Sequence, residues 1–177
     1  MRVKRTIRGR SAKRKGSRAE IQVRNALRRI YPADKHQYVQ RVPLSGAGAM
    51  KGDVMDMNDP DSCYEVKCQE TLVLNDWWRQ AKSQAGTSRT PILVVTKSYF
   101  PFYYMMHDKD MLSLVSNSLY KAVVTSKTYK NSRNILERLS EASTHEITHI
   151  TLDGDDVAII SEEFYIELKK DLYYNQK

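Results

Sequence analysis

The sequence predicts an α/β fold with a central mixed β-sheet flanked by helices. Three observations carry this reading. Stretches with helical apolar spacing alternate with short runs of strand-forming residues, which is how sheet-and-helix layers are encoded. Ile92-Leu93-Val94-Val95 is an unbroken apolar run too short for a helix, as expected of a strand buried on both faces. At 177 residues and 41% hydrophobic content the chain can bury one sizeable core.

The elements follow in order. Residues 1–15 are dense in bases and lack apolar periodicity, so they read as a flexible basic arm that binds phosphate, a solvated tail being the alternative. Ala19, Val23, Ala26, Leu27 and Ile30 form one apolar stripe, which predicts a helix over 17–31. Ser17 and Glu20 match a capping box at its start, and Pro32 stops it. A strand over 37–42 leads into a glycine-rich loop, 43–52, able to approach a ligand closely. Strands over 53–57 and 63–68 flank the turn Asn58-Asp59-Pro60-Asp61-Ser62, a hairpin in which Asp56, Asp59 and Asp61 serve turn chemistry. A helix over 75–86, capped by Asn75, precedes the strand 92–95. Helices over 108–120 and 131–142 follow, then strands 147–152 and 157–160 around a turn at Gly154. Ser161 caps a last helix, 162–173.

The net charge is +8 and the pI about 9.4, which favours a polyanionic partner, nucleic acid or an anionic membrane surface. The imbalance is local: residues 2–29 carry twelve bases and one acid, whereas 137–177 carry ten acids and four bases. No apolar run is long enough to span a bilayer, and no apolar stretch follows the N-terminal bases as a secretory signal requires. Cys63 and Cys68 fall on opposite faces of one extended segment and cannot easily bridge, so free thiols in a reducing, cytoplasmic setting are expected. The histidines show no metal-ligand spacing; His107, His145 and His149 read as structural or surface residues.

The chemistry concentrates between Ser45 and Lys67. Strand alternation puts Cys63, Glu65 and Lys67 on one face and Tyr64, Val66 and Cys68 on the other, apolar face. A hairpin brings Asp53 toward Glu65. Two close carboxylates suit Mg²⁺, which completes its octahedron with water and substrate phosphate oxygens. A neighbouring lysine can orient the attacking water. An E-x-K pair by itself is often only a surface ion pair; Asp53 behind a glycine-rich loop is what strengthens the reading.

Taken in order, Gly16-Ser17-Arg18-Ala19-Glu20, Arg41, Ser45-Gly46, Asp53 and Glu65-Val66-Lys67 resemble the archaeal Holliday junction resolvases, within the PD-(D/E)XK nuclease superfamily. The likeness spans about residues 14–97, and the composition would suit a viral member, working in host cytoplasm or nucleoid. It implies a restriction-endonuclease-like core, about 16–100, in a single nuclease domain 16–177 whose remainder, about 101–177, is a C-terminal extension. It implies that Asp53, Glu65 and the Val66 carbonyl hold Mg²⁺, with Mn²⁺ able to substitute. Glu20 would complete the site, the capping box being its alternative role, and Lys67 would assist the water. Arg41 and Ser45 match positions near the scissile phosphate. Arg14, Lys15, Arg18, Lys51 and Gln80 are further candidate DNA contacts, although an exposed helical glutamine explains Gln80 as well. Gly52 stands where the superfamily's name has proline.

The implied activity is cleavage of four-way or other branched DNA, with no membrane partner. A restriction-like or replication-repair nuclease of the same superfamily is one alternative. A non-catalytic basic nucleic-acid-binding protein is another. Resolving a junction takes two nicks, so a homodimer is expected. Candidate interfaces are the aromatic run 99–106, also readable as core or as a wedge at branched DNA, and the last helix through Phe164, Ile166 and Leu168. Of Trp77 and Trp78, at least one should be core.

Overall fold

A computed structural model describes residues 5–42, 51–122, 125–129 and 134–175. Its centre is an eight-stranded mixed sheet. The strands are β1 (Val39–Arg41), β2 (Val54–Asp56), β3 (Ser62–Cys68), β4 (Thr90–Thr96), β5 (Tyr103–His107), β6 (Thr125–Thr128), β7 (Glu146–Leu152) and β8 (Asp155–Ser161). They lie in the order β1-β2-β3-β4-β5-β8-β7-β6. The β3–β4 and β6–β7 pairs are parallel and the others antiparallel. Helices α1 (Arg5–Arg28), α2 (Leu74–Ala85), α3 (Asp108–Ser116), α4 (Ile135–Ser140) and α5 (Glu162–Asn175) cover the sheet.

Two apolar clusters fill the layers. On one face Ala19, Val23, Ala26 and Leu27 of α1, with Ile30 in the turn after it, pack with Tyr64, Val66, Ile92, Val94 and Tyr104, and Phe164, Tyr165, Ile166 and Leu168 of α5 join them. On the other, Leu74, Trp77, Trp78 and Ala81 of α2 and Ile135, Leu136 and Leu139 of α4 pack on Leu93, Val95, Tyr103 and Met105. Both tryptophans are therefore core, and Trp78 Nε1 donates to Asp155 Oδ2 at 2.9 Å. The β2–β3 hairpin forms as expected. Asp56 Oδ1 accepts from the Asn58 amide at 2.9 Å, the side-chain-to-backbone turn chemistry that Asp favours, and Asp59 Oδ2 accepts from the Ser62 hydroxyl at 2.6 Å within the same turn.

Several boundaries differ from expectation, each for a physical reason. Helix α1 spans Arg5–Arg28, so Ser17 lies inside it and is no N-cap; no proline stands between Arg5 and Ser17, Gly9 and Gly16 are accommodated, and most of the expected arm continues the helix. The strand expected over 37–42 forms as Val39–Arg41; Gln37 and Tyr38 belong instead to a 3-10 turn, Ala33–Tyr38. Helix α2 is preceded by Val73, and Asn75 Oδ1 instead accepts from the Asp153 amide at 3.0 Å. Strand β6 escapes sequence reading because its four residues are polar and exposed. Strand β5 escapes because both its faces are covered, which erases alternation. Ser161 does cap α5, its Oγ accepting from the Phe164 amide at 3.2 Å.

Much of both expected dimer surfaces is turned inward. Tyr103 to Met106 are at most 3% exposed in the sheet centre, and Phe164, Ile166 and Leu168 face the chain's own core. Their Tyr, Phe and Met content is what a core contains too. Tyr99 alone of the aromatic run is fully exposed. Residues 101–175 thus complete the sheet and both clusters. No helix among the described residues is long and apolar enough to cross a membrane.

Candidate active site

The site grows out of the β2–β3 hairpin. Tyr64 and Val66 point toward α1, so Cys63, Glu65 and Lys67 point the other way, beside Leu93 and Val95 of β4. The two cysteines lie on opposite faces as free thiols, and burial pushes both up in pKa. Asp53 directly precedes β2, whose Val54 pairs with Tyr64. Its backbone is fixed on both sides: its amide donates to the Tyr64 carbonyl at 2.7 Å, and its carbonyl accepts from Val42 at 2.9 Å.

The carboxylates are held close by this pairing. Asp53 Oδ2 accepts from the Val66 amide at 2.8 Å. Glu65 is 1% exposed, and its Oε1 meets Lys67 Nζ at 2.6 Å. Burial first, then the charge of Asp53, raises the Glu65 pKa; Lys67 and Gln84 pull it down. Among the described residues Glu65 Oε2 is buried without a hydrogen-bond partner. A carboxylate oxygen so placed, beside a second acid, is stabilised by a cation far more than by water it cannot reach.

That orphaned oxygen is a test of whether a divalent metal fits, and it does. Asp53 and Glu65 supply hard oxygen donors. In a strand, a residue's N–H and C=O point to the same edge, so the Val66 amide bound to Asp53 carries its carbonyl toward the same side. No group of three or more His, Cys, Asp and Glu side chains able to hold a metal occurs among the described residues. Two carboxylates suffice for Mg²⁺, which keeps several water and phosphate ligands.

Glu20 is not gathered into this group. Its Oε2 accepts from Arg41 Nε, and Arg41 Nη2 also donates to Ser17 Oγ at 3.1 Å. Arg41 pairs across from Val54 and so lies on the α1 side, whereas Glu65 lies on the α2 side. Neither the expected capping box nor metal ligation describes Glu20 here; it is an ion-pair partner. Of the candidate DNA contacts, Arg14, Arg18, Lys51 and Gln80 are exposed. Lys15 Nζ is engaged by Glu70 at 3.2 Å and Ser98 Oγ at 3.3 Å. Ser45, with most of the glycine loop, lies outside the described residues.

Two residues beside the site were missed by sequence reading. Gln84 Oε1 accepts from the Gly52 amide at 2.6 Å. It sits one turn beyond Gln80 on α2, so helical spacing could have offered it as readily. Arg89 donates to the carbonyls of Gln84 at 2.7 Å and Lys51 at 3.4 Å, tying the C-terminal end of α2 to the residues before Asp53. No local pattern marks it. Gly52 itself has φ +99°, and a Cβ there would stand 3.1 Å from the Tyr64 carbonyl oxygen. Proline, locked near −65° and lacking the N–H that Gln84 accepts, does not fit this position. The departure from the superfamily's name is thus a consequence of this backbone.

No curated protein and no solved structure matches the chain. The model of a family described as "Phage putative PDDEXK endonuclease" matches residues 11–170, from within α1 to within α5. The mixed sheet with its flanking helices is a restriction-endonuclease-like fold, and Asp53, Glu65 and Lys67 lie within the matched residues. By the extent of that match, the chain belongs to the phage PDDEXK endonucleases.

Proposed function

We propose that this endonuclease cuts four-way or similarly branched DNA by hydrolysis that depends on Mg²⁺, for which Mn²⁺ substitutes. The observation that supports the chemistry is the buried, unpartnered Glu65 Oε2 beside Asp53. Asp53 and Glu65 would hold the ion with the Val66 carbonyl. When bound, the metal supplies a lowered pKa for a water and neutralises charge on the scissile phosphate.

The chain's own residues do the rest. Asp53 is oriented by the Val66 amide, and the hairpin fixes its distance from Glu65. Lys67 is 17% exposed, so its ammonium reaches the solvent side of Glu65, where it can orient an attacking water and meet developing negative charge. Gln84 and Arg89 hold the Lys51–Gly52 backbone and with it the position of Asp53. The preference for branched DNA is supported by the ordered likeness of Glu20, Arg41, Asp53, Glu65 and Lys67 to junction resolvases. That preference carries a homodimer with it, through a surface other than β5 or the buried face of α5.

The test is a panel of linear, flapped and four-way DNA with purified protein in Mg²⁺. Paired nicks on four-way DNA support the proposal. Equal cutting of linear duplex overturns the junction preference in favour of a restriction-like or replication-repair nuclease. Glu65→Gln should abolish cleavage on every substrate while binding persists, because affinity comes mainly from Lys and Arg on phosphates. Full activity of Glu65→Gln would remove the proposed catalytic centre, and DNA binding without any cutting by the unaltered protein would favour a non-catalytic role.

A further inference from the structure

The N-terminal helix carries a second feature. Glu20, Arg24 and Arg28 recur every four residues on one face of α1. Both ends of this row are tied to β1. Glu20 accepts from Arg41, and Arg28 Nε and Nη2 donate to the Val39 carbonyl at 3.2 and 3.0 Å. Val39 and Arg41 are two residues apart on one strand and project to the same face. Arg24 therefore stands between the two ties, facing the segment from Val39 to Arg41.

Four charged groups meet there: three guanidinium groups and one carboxylate, Glu20, which is engaged by Arg41. Among the described residues Arg24 finds the neutral Asn25 amide oxygen alone, at 3.2 Å from Nε and 2.8 Å from Nη2. Partial burial, then the charges of Arg28 and Arg41, lower its pKa. Each guanidinium still has N–H donors left over, since each has five. Like charges gathered in this way, two of them fixed by ties between α1 and β1, are relieved by an anion that several of them share. The row lies at the β1 edge of the sheet, on the face opposite Glu65; Val42, next to Arg41, donates to the Asp53 carbonyl at 2.9 Å and so links that edge to the segment carrying Asp53. Strand β1 lies two strand spacings, about 10 Å, from β3.

We propose that Arg24, Arg28 and Arg41 form a clamp for a backbone phosphate of the bound DNA, at the β1 edge of the sheet and away from the scissile bond. The clamp rests on the endonuclease reading only for the choice of DNA as its ligand. Arginine forks suit phosphate oxygens, and a phosphate contact positions the duplex without reading its sequence.

The test is binding of a four-way DNA in EDTA, so that nothing is cut, over a range of salt. Arg24→Gln should weaken binding about tenfold and make the log–log salt slope shallower by about one. Arg24→Lys should keep the slope and recover part of the affinity, because it retains the charge and loses the fork. Arg79→Gln removes the same charge from α2, where Arg79 is held by Asp76 and Asp153, and should change neither. Unchanged slope and affinity in Arg24→Gln overturn the clamp. So does an equal loss in Arg79→Gln, which would mean net charge alone matters. A protein that shows the Arg24 effect in EDTA and cuts nothing with metal would overturn the nuclease reading and leave the clamp standing.

Discussion

Strands β3 and β5 lie two positions apart in one sheet, both with helices over both faces, yet they are filled differently. On β5, Tyr104 and Met106 enter one core and Tyr103 and Met105 the other. Tyr104 stacks on Tyr165 with ring centroids 4.3 Å apart, and its hydroxyl is the one polar atom of that stack left without a partner. On β3 Tyr64 and Val66 serve the core, with Cys68 partly packed against it, while the other face holds Glu65 and Lys67 beside Cys63. Burying a carboxylate oxygen without a partner costs more than burying a hydroxyl. The same architecture thus stabilises the fold through β5 and places charge against its interest on β3. A site that opposes its own fold is a functional site by physical argument, since packing gives no reason to keep it.

This contrast can be broken by exchanging the two kinds of damage. Glu65→Gln should lower the cleavage rate on the order of 10³-fold or more and leave a folded protein. Met105→Ala, which empties a fully buried position in β5, should cost about 2–5 kcal/mol of stability in denaturant titration. At temperatures where Met105→Ala remains folded, its cleavage should stay within severalfold of the unaltered chain. A comparable loss of rate in folded Met105→Ala would mean that β5 is more than a support.

The turn before Asp53 comes next in size. Gly52→Ala puts a Cβ 3.1 Å from the Tyr64 carbonyl and 3.3 Å from Cys63 Sγ at a φ of +99°. About 1–3 kcal/mol of strain is expected, and the backbone that aims Asp53 should shift. Gln84→Ala removes the acceptor of the Gly52 amide and should cost about 1 kcal/mol, with a larger proportional loss in kcat than in DNA affinity. Thermal melts and steady-state rates on the same preparations separate the two effects. A Gln84→Ala protein with unchanged kcat would show that the hairpin alone fixes Asp53.

How legible all this was depended on the range of the interactions. The β2–β3 hairpin and its alternation are local, so Asp53, Glu65 and Lys67 could be read together from spacing and turn residues. The stripe of α1 was equally plain, but its start was not, because Ser17 and Glu20 imitate a cap whose real partner, Arg41, lies on another strand. Strand β5 was hidden for the opposite reason: a segment covered on both faces carries no period, and Tyr and Met suit an interface as well as a core. Gln84 and Arg89 act through contacts 32 and 38 residues away in sequence, and only the packing of α2 against the hairpin reveals which glutamine faces the site.

The smallest expected effect bears most directly on why Glu65 is there. Burial and Asp53 raise its pKa in the folded chain. Between the unfolded and the folded value, the folded state then binds more protons than the unfolded one. Stability therefore falls as pH rises through that window and is lowest, on this account, above it. Gln at this position has no proton to lose. Without metal at neutral pH, Glu65→Gln should melt higher than the unaltered chain by about 2–4 °C, the shift that ~1 kcal/mol gives in a domain of this size. The gap should close as pH falls below the ordinary carboxylate range, where both side chains are neutral. Adding Mg²⁺ should raise the melting temperature of the unaltered chain and not that of Glu65→Gln, because a ligand stabilises the state that binds it. A Glu65→Gln protein that melts lower at neutral pH would show that the Lys67 pairing outweighs the burial. Glu65 would then be a structural ion pair that the fold needs.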